Sequence, residues 1–495
     1  MSSAATPPHL DPYNVQGNLV GFNKDHQRFV FVAFADRSGG QKFLAALEPE
    51  LASAWEVRHF NALFKEIHRR GGGLGIVESA WANLALTFHG LQVLEASGLQ
   101  DFPEPFKSGM AARAEVIGDK DTSAPAGWVA PFNQQIDAVV ILAADTPEDL
   151  DAGYVRLRTK IESPGVVELS PTLDGNVRPE PNRGHEHFGF KDGISQPGIV
   201  GLTQSSKHGQ DQIATGEFLI GYPDQDGRTS GDGQPAPGPN EPGYPNQPAT
   251  PALPPWTKDG SFLVLRRLRQ NVAAFNEFLE QEAAVLGIDD GLLGAKLVGR
   301  WRSGAPLERT RHAPKNLDPA AADPSIAHPS ILSDHHINDF DYAPDDEDGH
   351  LVPRAAHVRK VNPRSETPPG KDESNRHRIL RRGIPYGPEF IPGEPPYGLS
   401  VSAEQDRGLI FVCFQSSIAR GFEFVQQSWA NQEDFPQAAD GRDPIISQDV
   451  DPRDFNLTPQ NVHLAIARWV TTTGGEYFFL PSLKAIRQIV TSASS

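Results

Sequence analysis

A chain of 495 residues is too long for one small core and predicts two or more domains. Its 44 prolines and 46 glycines point to many turns and long loops rather than a helical bundle. The net charge of −18 disfavours nucleic acid and anionic membrane as partners, and the lone cysteine, Cys413, excludes an internal disulfide and a cysteine-built zinc or iron–sulfur centre.

Residues Met1 to Pro12 hold no basic segment followed by an apolar stretch, so no secretory leader is legible there. No apolar run approaches the roughly 20 residues a membrane helix needs. A soluble protein is expected, either cytosolic or matured by removal of a leader. Arg28–Phe34 reads as a buried strand. Helical patterns follow over Lys42–Trp55 and Glu56–Arg69, then strands at Ala82–Phe88 and Ile136–Leu142. A helix begins near Thr146, with Pro147 in its first turn. Gly216–Gly221 and Ser261–Leu265 read as further strands, while Leu268, Val272, Phe275 and Leu279 are spaced for one helix face. Tyr222–Trp256 and Ala313–His350 are polar, rich in turn formers and without periodicity, and read as long insertions. Gly408–Phe414 is a strand and Ile418–Ala430 a helix. Within it Ile418, Phe422, Val425 and Trp429 share a core-facing side, although a tryptophan near a helix end can be partly exposed. The strand–helix–strand order occurs twice. It predicts two α+β halves, residues 1–240 and 241–495, divided inside the first insertion.

Three segments are dense in chemistry. Asp192 sits in Gly189-Phe190-Lys191-Asp192-Gly193, where Asp-Gly is also a common turn dipeptide. His357 follows an apolar stretch and precedes Arg359, Lys360 and Arg364. These cations would pair with carboxylates, or would equally form a surface basic patch. Arg381 follows Ile379-Leu380, a strand pattern that turns one arginine inward and its neighbour Arg382 outward. His185-Glu186-His187 and His335-His336 look like metal ligands but lack a third ligand at a defined spacing, and His187 reads as structural.

In this order the segments resemble the dye-decolorizing peroxidase family, its fungal branch most closely. Gly189–Gly193 matches the family's GxxDG motif. Ala356–Lys360, Leu380–Gly383, Gly474–Leu483, Asn14–Asn18 and Gly216–Asp224 resemble further family blocks. The resemblance runs from about residue 11 to about residue 486. It implies an α+β fold of two ferredoxin-like domains enclosing one haem b, held mostly by the second.

It also implies a peroxidase that uses hydrogen peroxide to oxidise anthraquinone dyes, phenols and other aromatic reductants through a high-valent iron intermediate and long-range electron transfer. His357 would be the proximal iron ligand and Asp443 the acid behind it. Asp192 and Arg381 would work on the distal side, in a pocket narrowed by Leu409 and Phe411. Arg359 and Arg364 would meet the propionates. Tyr386 and Trp429 align with the family's surface electron-transfer sites, Tyr386 in a Pro-Tyr-Gly turn being the easier to expose. The acids Asp345-Asp346-Glu347-Asp348 raise Mn(II) as a partner, or form a solvated loop. The resemblance favours secretion, and the missing leader departs from that pattern. A haem carrier would need His357 but not Asp192. A related haem enzyme that does not use peroxide is the other alternative, and the pairing of Asp192 with Arg381 argues for peroxide.

Overall fold

The computed structural model describes residues 10–69, 79–162, 164–203, 209–233, 251–309, 337–343, 346–398, 401–457 and 462–492. The boundary expected at 240/241, His335, His336 and Asp345 lie outside these residues.

The first half runs through β1 (His26–Phe34), β2 (Trp81–Leu86), β3 (Ala138–Ala144) and β4 (Val166–Asn176), with helices between them. A short parallel pair follows, β5 (Gly198–Ile199) with β6 (Gln212–Ile213). The second half contains β7 (Ser261–Gln270), β8 (Leu380–Arg381), β9 (Ile384–Tyr386) and β10 (Gly408–Gln415). The hairpin β11 (Arg453–Leu457) with β12 (Val462–Ile466) and the long β13 (Val470–Leu480) complete it.

One antiparallel sheet joins the halves in the order β4-β1-β3-β2-β13-β7-β10-β8, with β9 also paired to β10. Each half repeats one pattern: its first strand lies between its last and its third, and its second stands at the edge. This is the ferredoxin-like βαββαβ arrangement, twice. The halves meet where Phe479 pairs with Leu86. At the other end β4 lies against β9, so closely that a Cβ on Gly175 would fall 2.3 Å from Ile384 Cγ2.

Local chemistry explains most boundaries. Thr146 caps the helix Pro147–Ile161 by accepting from Asp149 N–H, with Pro147 in the first turn. Glu48-Pro49-Glu50 forms a 3₁₀ turn that separates Arg37–Leu47 from Ala54–Arg69, so the helices break earlier than their periodicity suggests. Three expectations are corrected. Gly216–Gly221 is no strand: Thr215–Glu217 is a 3₁₀ turn, and Gly216 N–H bonds Pro223 O in a tight loop. Leu268 belongs to β7, and the helix starts at Val272 after Asn271 caps Ala274 N–H. Ile418–Ala430 is not one α-helix but a short turn, Phe422–Phe424, followed by a π-helical turn, Val425–Ala430.

The main core fills the space under the shared sheet. A second cluster, including Phe188, Phe190, Phe275 and Trp469, packs beside β7. A third surrounds Trp301, Tyr342, Val352 and Ala356. The functional cavity opens against these last two. Among the described residues no helix is long and apolar enough to cross a membrane.

Candidate active site

The cavity is lined by Asp192, His357, Arg364, Arg381, Leu409 and Phe411, together with apolar side chains such as Phe190, Leu268, Val358 and Ile445. The first half supplies one loop to it, and the second half supplies the rest.

His357 opens a single helical turn, His357–Lys360. Its Nδ1 lies 2.8 Å from Asp443 Oδ2, which leaves Nε2 as the ring nitrogen available to the cavity. Asp443 is fully buried, and its other oxygen, Oδ1, accepts the N–H groups of Ile445 and Ile446 at 2.8 and 2.9 Å. That is an Asx turn, favoured because Pro444 has no N–H to compete. Burial pushes the Asp443 carboxyl up. The charge and hydrogen bond of His357 and the two backbone donors outweigh it and hold the carboxyl below its ordinary value. The acid therefore directs the histidine as a hydrogen-bond acceptor.

Asp192 lies at the end of a tight loop. Its backbone N–H bonds Gly184 O at 3.0 Å. Gly193 follows with φ +70°, in the left-handed region, and no atom lies within 4 Å of where its Cβ would stand. The backbone angle, not space, is what requires glycine here. Asp192 Oδ1 accepts from Gly193 N–H at 2.6 Å and from Arg381 Nη1 at 3.4 Å. Arg381 sits on β8 opposite Cys413, with Nη2 donating to Ser195 O at 3.1 Å. Its neighbour Arg382 points the other way and donates to Asn18 O and Leu19 O, as strand alternation predicts.

One end of the cavity is crowded with guanidinium groups. Buried Arg300 donates to Gly304 O, Ile337 O and Asn338 Oδ1. Arg364 donates to Asn338 O and Phe340 O, and stacks 3.8 Å from the Phe340 ring. Among the described residues neither has a carboxylate partner. Burial, then the charges of Arg364 and Arg381, push Arg300 down to about 9. The buried Tyr342 hydroxyl at the same cavity also lacks a partner among the described residues. Buried cations and a donor without an anion call for an anionic ligand. An apolar slot with one free imidazole nitrogen and an arginine-rich end fits a haem with its carboxylates.

Arg359 is a correction. It is buried with its guanidinium bound to Glu366 at 2.7 and 2.9 Å, to Asp346 at 3.1 Å and to Val352 O at 2.6 Å, and it does not line the cavity. Helical rotation carries residue 359 away from the face of residue 357. Tyr386 is also not exposed: it is 4% accessible, and Arg267 lies over its ring at 4.2 Å. Trp429 is 2% accessible, stacks on Phe435 and meets His377 edge-on at 5.4 Å. His377 in turn lines the cavity. His187 is buried against Tyr386 O and stays outside the cavity, as a structural role requires. Asp346 is buried on Leu351 and Val352 N–H, and among the described residues no three metal-ligating side chains gather.

Residue types alone did not single out Arg300 and Tyr342. Arg300 follows an unremarkable helix end, and its role arises from charges that converge only in three dimensions.

Residues 14–179 match the model of the DyP dimeric alpha+beta barrel domain, and residues 247–438 that of Dyp-type peroxidase, C-terminal. Peroxidase 2 of Mycetinis scorodonius is 33% identical, over 98% of this chain and 89% of that protein. A dye-decolorizing peroxidase of Auricularia auricula-judae is also 33% identical, over 98% and 87%. Among solved structures, an ancestral D-type dye decolorizing peroxidase superposes with a TM-score of 0.79 at 32% identity, covering 98% of this chain and 100% of that one.

Proposed function

The chain belongs to the dye-decolorizing peroxidase family, and from that premise we propose how its own side chains divide the work. It is a haem peroxidase that uses peroxide to oxidise aromatic dyes. The haem, when bound, supplies the iron that takes up peroxide and the oxidising equivalents passed on to the dye. On our reading it is haem b. His357 Nε2 ligates it, Asp443 fixes the tautomer of that histidine, and Arg300, Arg364 and Tyr342 receive the carboxylates.

Asp192 carries the proton. Its Oδ1 is already engaged by Gly193 and Arg381, so Oδ2 takes the proton from peroxide and returns it to the departing oxygen. Arg381, a permanent charge held by Ser195 O, offsets the negative charge that grows as the O–O bond breaks. Leu409 and Phe411 narrow the wall and favour a small oxidant over a bulky dye. Large dyes then give up electrons at a distance, with Trp429, buried beside His377, as an internal relay on the path rather than its surface end. Tyr386 is the second candidate. Phenols complete the proposed reductants.

The observation that carries this reading is that one cavity is faced by His357, backed by the buried Asp443, and by the Asp192–Arg381 pair. In the haem-loaded protein, Asp192→Asn is expected to keep its Soret band while its reaction with peroxide slows about 10²–10⁴-fold. His357→Ala is expected to lose stoichiometric haem. An Asp192→Asn protein that reacts at the native rate removes the role given to Asp192.

A further inference from the structure

The loop that carries Asp192 is organised around a second carboxylate, Glu186, to which the reaction as described gives no part. Gly184 O accepts Asp192 N–H, His185 and Lys191 form a bridge, and Glu186 N–H bonds Phe190 O at 3.0 Å. Inside this hairpin the Glu186 side chain closes the remaining gaps. Oε2 accepts Phe188 N–H at 2.9 Å, and Oε1 accepts Phe190 N–H at 2.8 Å. Gln270, at the end of β7, donates Nε2 to Oε2 at 2.5 Å. Arg178 Nη1 holds the Glu186 carbonyl at 2.6 Å. The rings of Phe188 and Phe190, brought together by the same carboxylate, pack on Phe275 with centroids 4.4 and 6.2 Å away.

Every partner of this carboxylate is an uncharged N–H donor, and none of the described residues makes an ion pair with it. A buried carboxylate is costly to keep without a cation. Two backbone donors and one amide are what it receives instead, and they belong to the loop that leads into Asp192 and to the strand that anchors it. We propose that Glu186 is a positioning residue. It ties the loop to β7 and so fixes where the Asp192 carboxylate stands in the cavity. The proposal rests on Asp192 as the proton carrier.

Glu186→Gln tests it, because a Gln amide presents N–H where a backbone N–H needs an acceptor and so breaks one of the two loop bonds. In the haem-loaded enzyme the peroxide reaction is expected to slow up to roughly 100-fold, the scale of a displacement near 1 Å at a reacting group. Amide exchange at Phe188 and Phe190 is expected to quicken, with exchange in β7 and β10 unchanged. The decisive comparison is a double-mutant cycle with Asp192→Asn. A positioning role predicts that Glu186→Gln adds less than about twofold once the Asp192 carboxylate is gone. Additive losses, or a Glu186→Gln enzyme with native peroxide kinetics, overturn the proposal. An Asp192→Asn enzyme with native kinetics instead overturns the reading of Asp192 itself. If Glu186→Gln does not accumulate folded, Gln270→Ala removes one donor and leaves both loop bonds. It is expected to give a smaller loss that likewise disappears in the Asp192→Asn background, and an additive loss there also overturns the proposal.

Discussion

Replacing Asp443 by Asn is expected to damage haem ligation without touching the cavity wall. Oδ1 must remain an oxygen, since two backbone N–H groups point at it from Ile445 and Ile446. The amide nitrogen therefore takes the place of Oδ2, 2.8 Å from His357 Nδ1. Two donors cannot share one hydrogen bond, so the imidazole must turn Nδ1 into an acceptor and move its proton to Nε2. Nε2 is the atom proposed to bind iron, and with a proton on it the lone pair is lost. A charge-assisted hydrogen bond contributes about 1.5–3 kcal/mol. Loss of an acid behind a metal-bound histidine typically costs about 10–100-fold in metal affinity or activity, or roughly 1.4–2.8 kcal/mol, and the two scales agree.

Titrating haem into the haem-free protein by absorbance measures the affinity directly. The native pair also carries a pH signature. The carboxyl is held below its ordinary value in the folded state, so its contribution to stability is complete above the ordinary carboxylate range. It is lost as pH falls through the folded value. The Asn protein should lack that acid-side loss. Haem affinity within threefold of native, with an unchanged acid limb, would refute the reasoning.

Glu217 runs in the opposite direction. Burial pushes it up to about 7, so the folded state holds its proton more tightly than the unfolded chain and stability falls as pH rises from about 4.5 to 7. Glu217→Gln is therefore expected to raise the melting temperature at pH 8 and to leave it unchanged below pH 4, as calorimetry at both values will show. Arg300→Ala and Arg359→Ala should separate binding from folding. The first is expected to weaken haem binding in the titration, and the second to lower stability by about 3–5 kcal/mol in denaturant unfolding, as expected for breaking a buried ion pair. For electron exit, Trp429→Phe is expected to slow turnover of an anthraquinone dye more than that of a small phenol. Tyr386→Phe should change the ratio less, and equal ratios in both variants remove Trp429 from the path.

Much of the site was legible in the chain. Asp192, His357 and Arg381 each stand in a short local frame: an acid between glycines, a histidine before a basic run, an arginine on an alternating strand. Each frame is read from neighbouring residues, but alone it also fits a turn, a basic surface patch or a solvent-facing strand, and only their order, matched to the family, marked them. The α+β halves were legible because apolar strands and capped helices are local. Gly216–Gly221 misled because an apolar run beside glycines suits a strand and a packed turn equally. Only backbone bonds to distant residues, such as Gly216 to Pro223, decide between them.

The chain by itself determined the α+β strand–helix order of both halves, and its resemblance to the family singled out Asp192, His357 and Arg381, because both are carried by residue type and order along the chain. Residue type alone could not say which guanidinium is paired with a carboxylate and which faces the cavity. Arg359 is consumed by Glu366 and Asp346, while Arg300, anonymous in the sequence, faces the cavity with no carboxylate partner among the described residues. Exposure of Tyr386, the partner of His357 among several nearby aspartates, and the carboxylate that steadies the Asp192 loop are likewise matters of which groups meet across the fold. Charge pairing and burial are sums over neighbours in space, and only the tertiary structure supplies those neighbours.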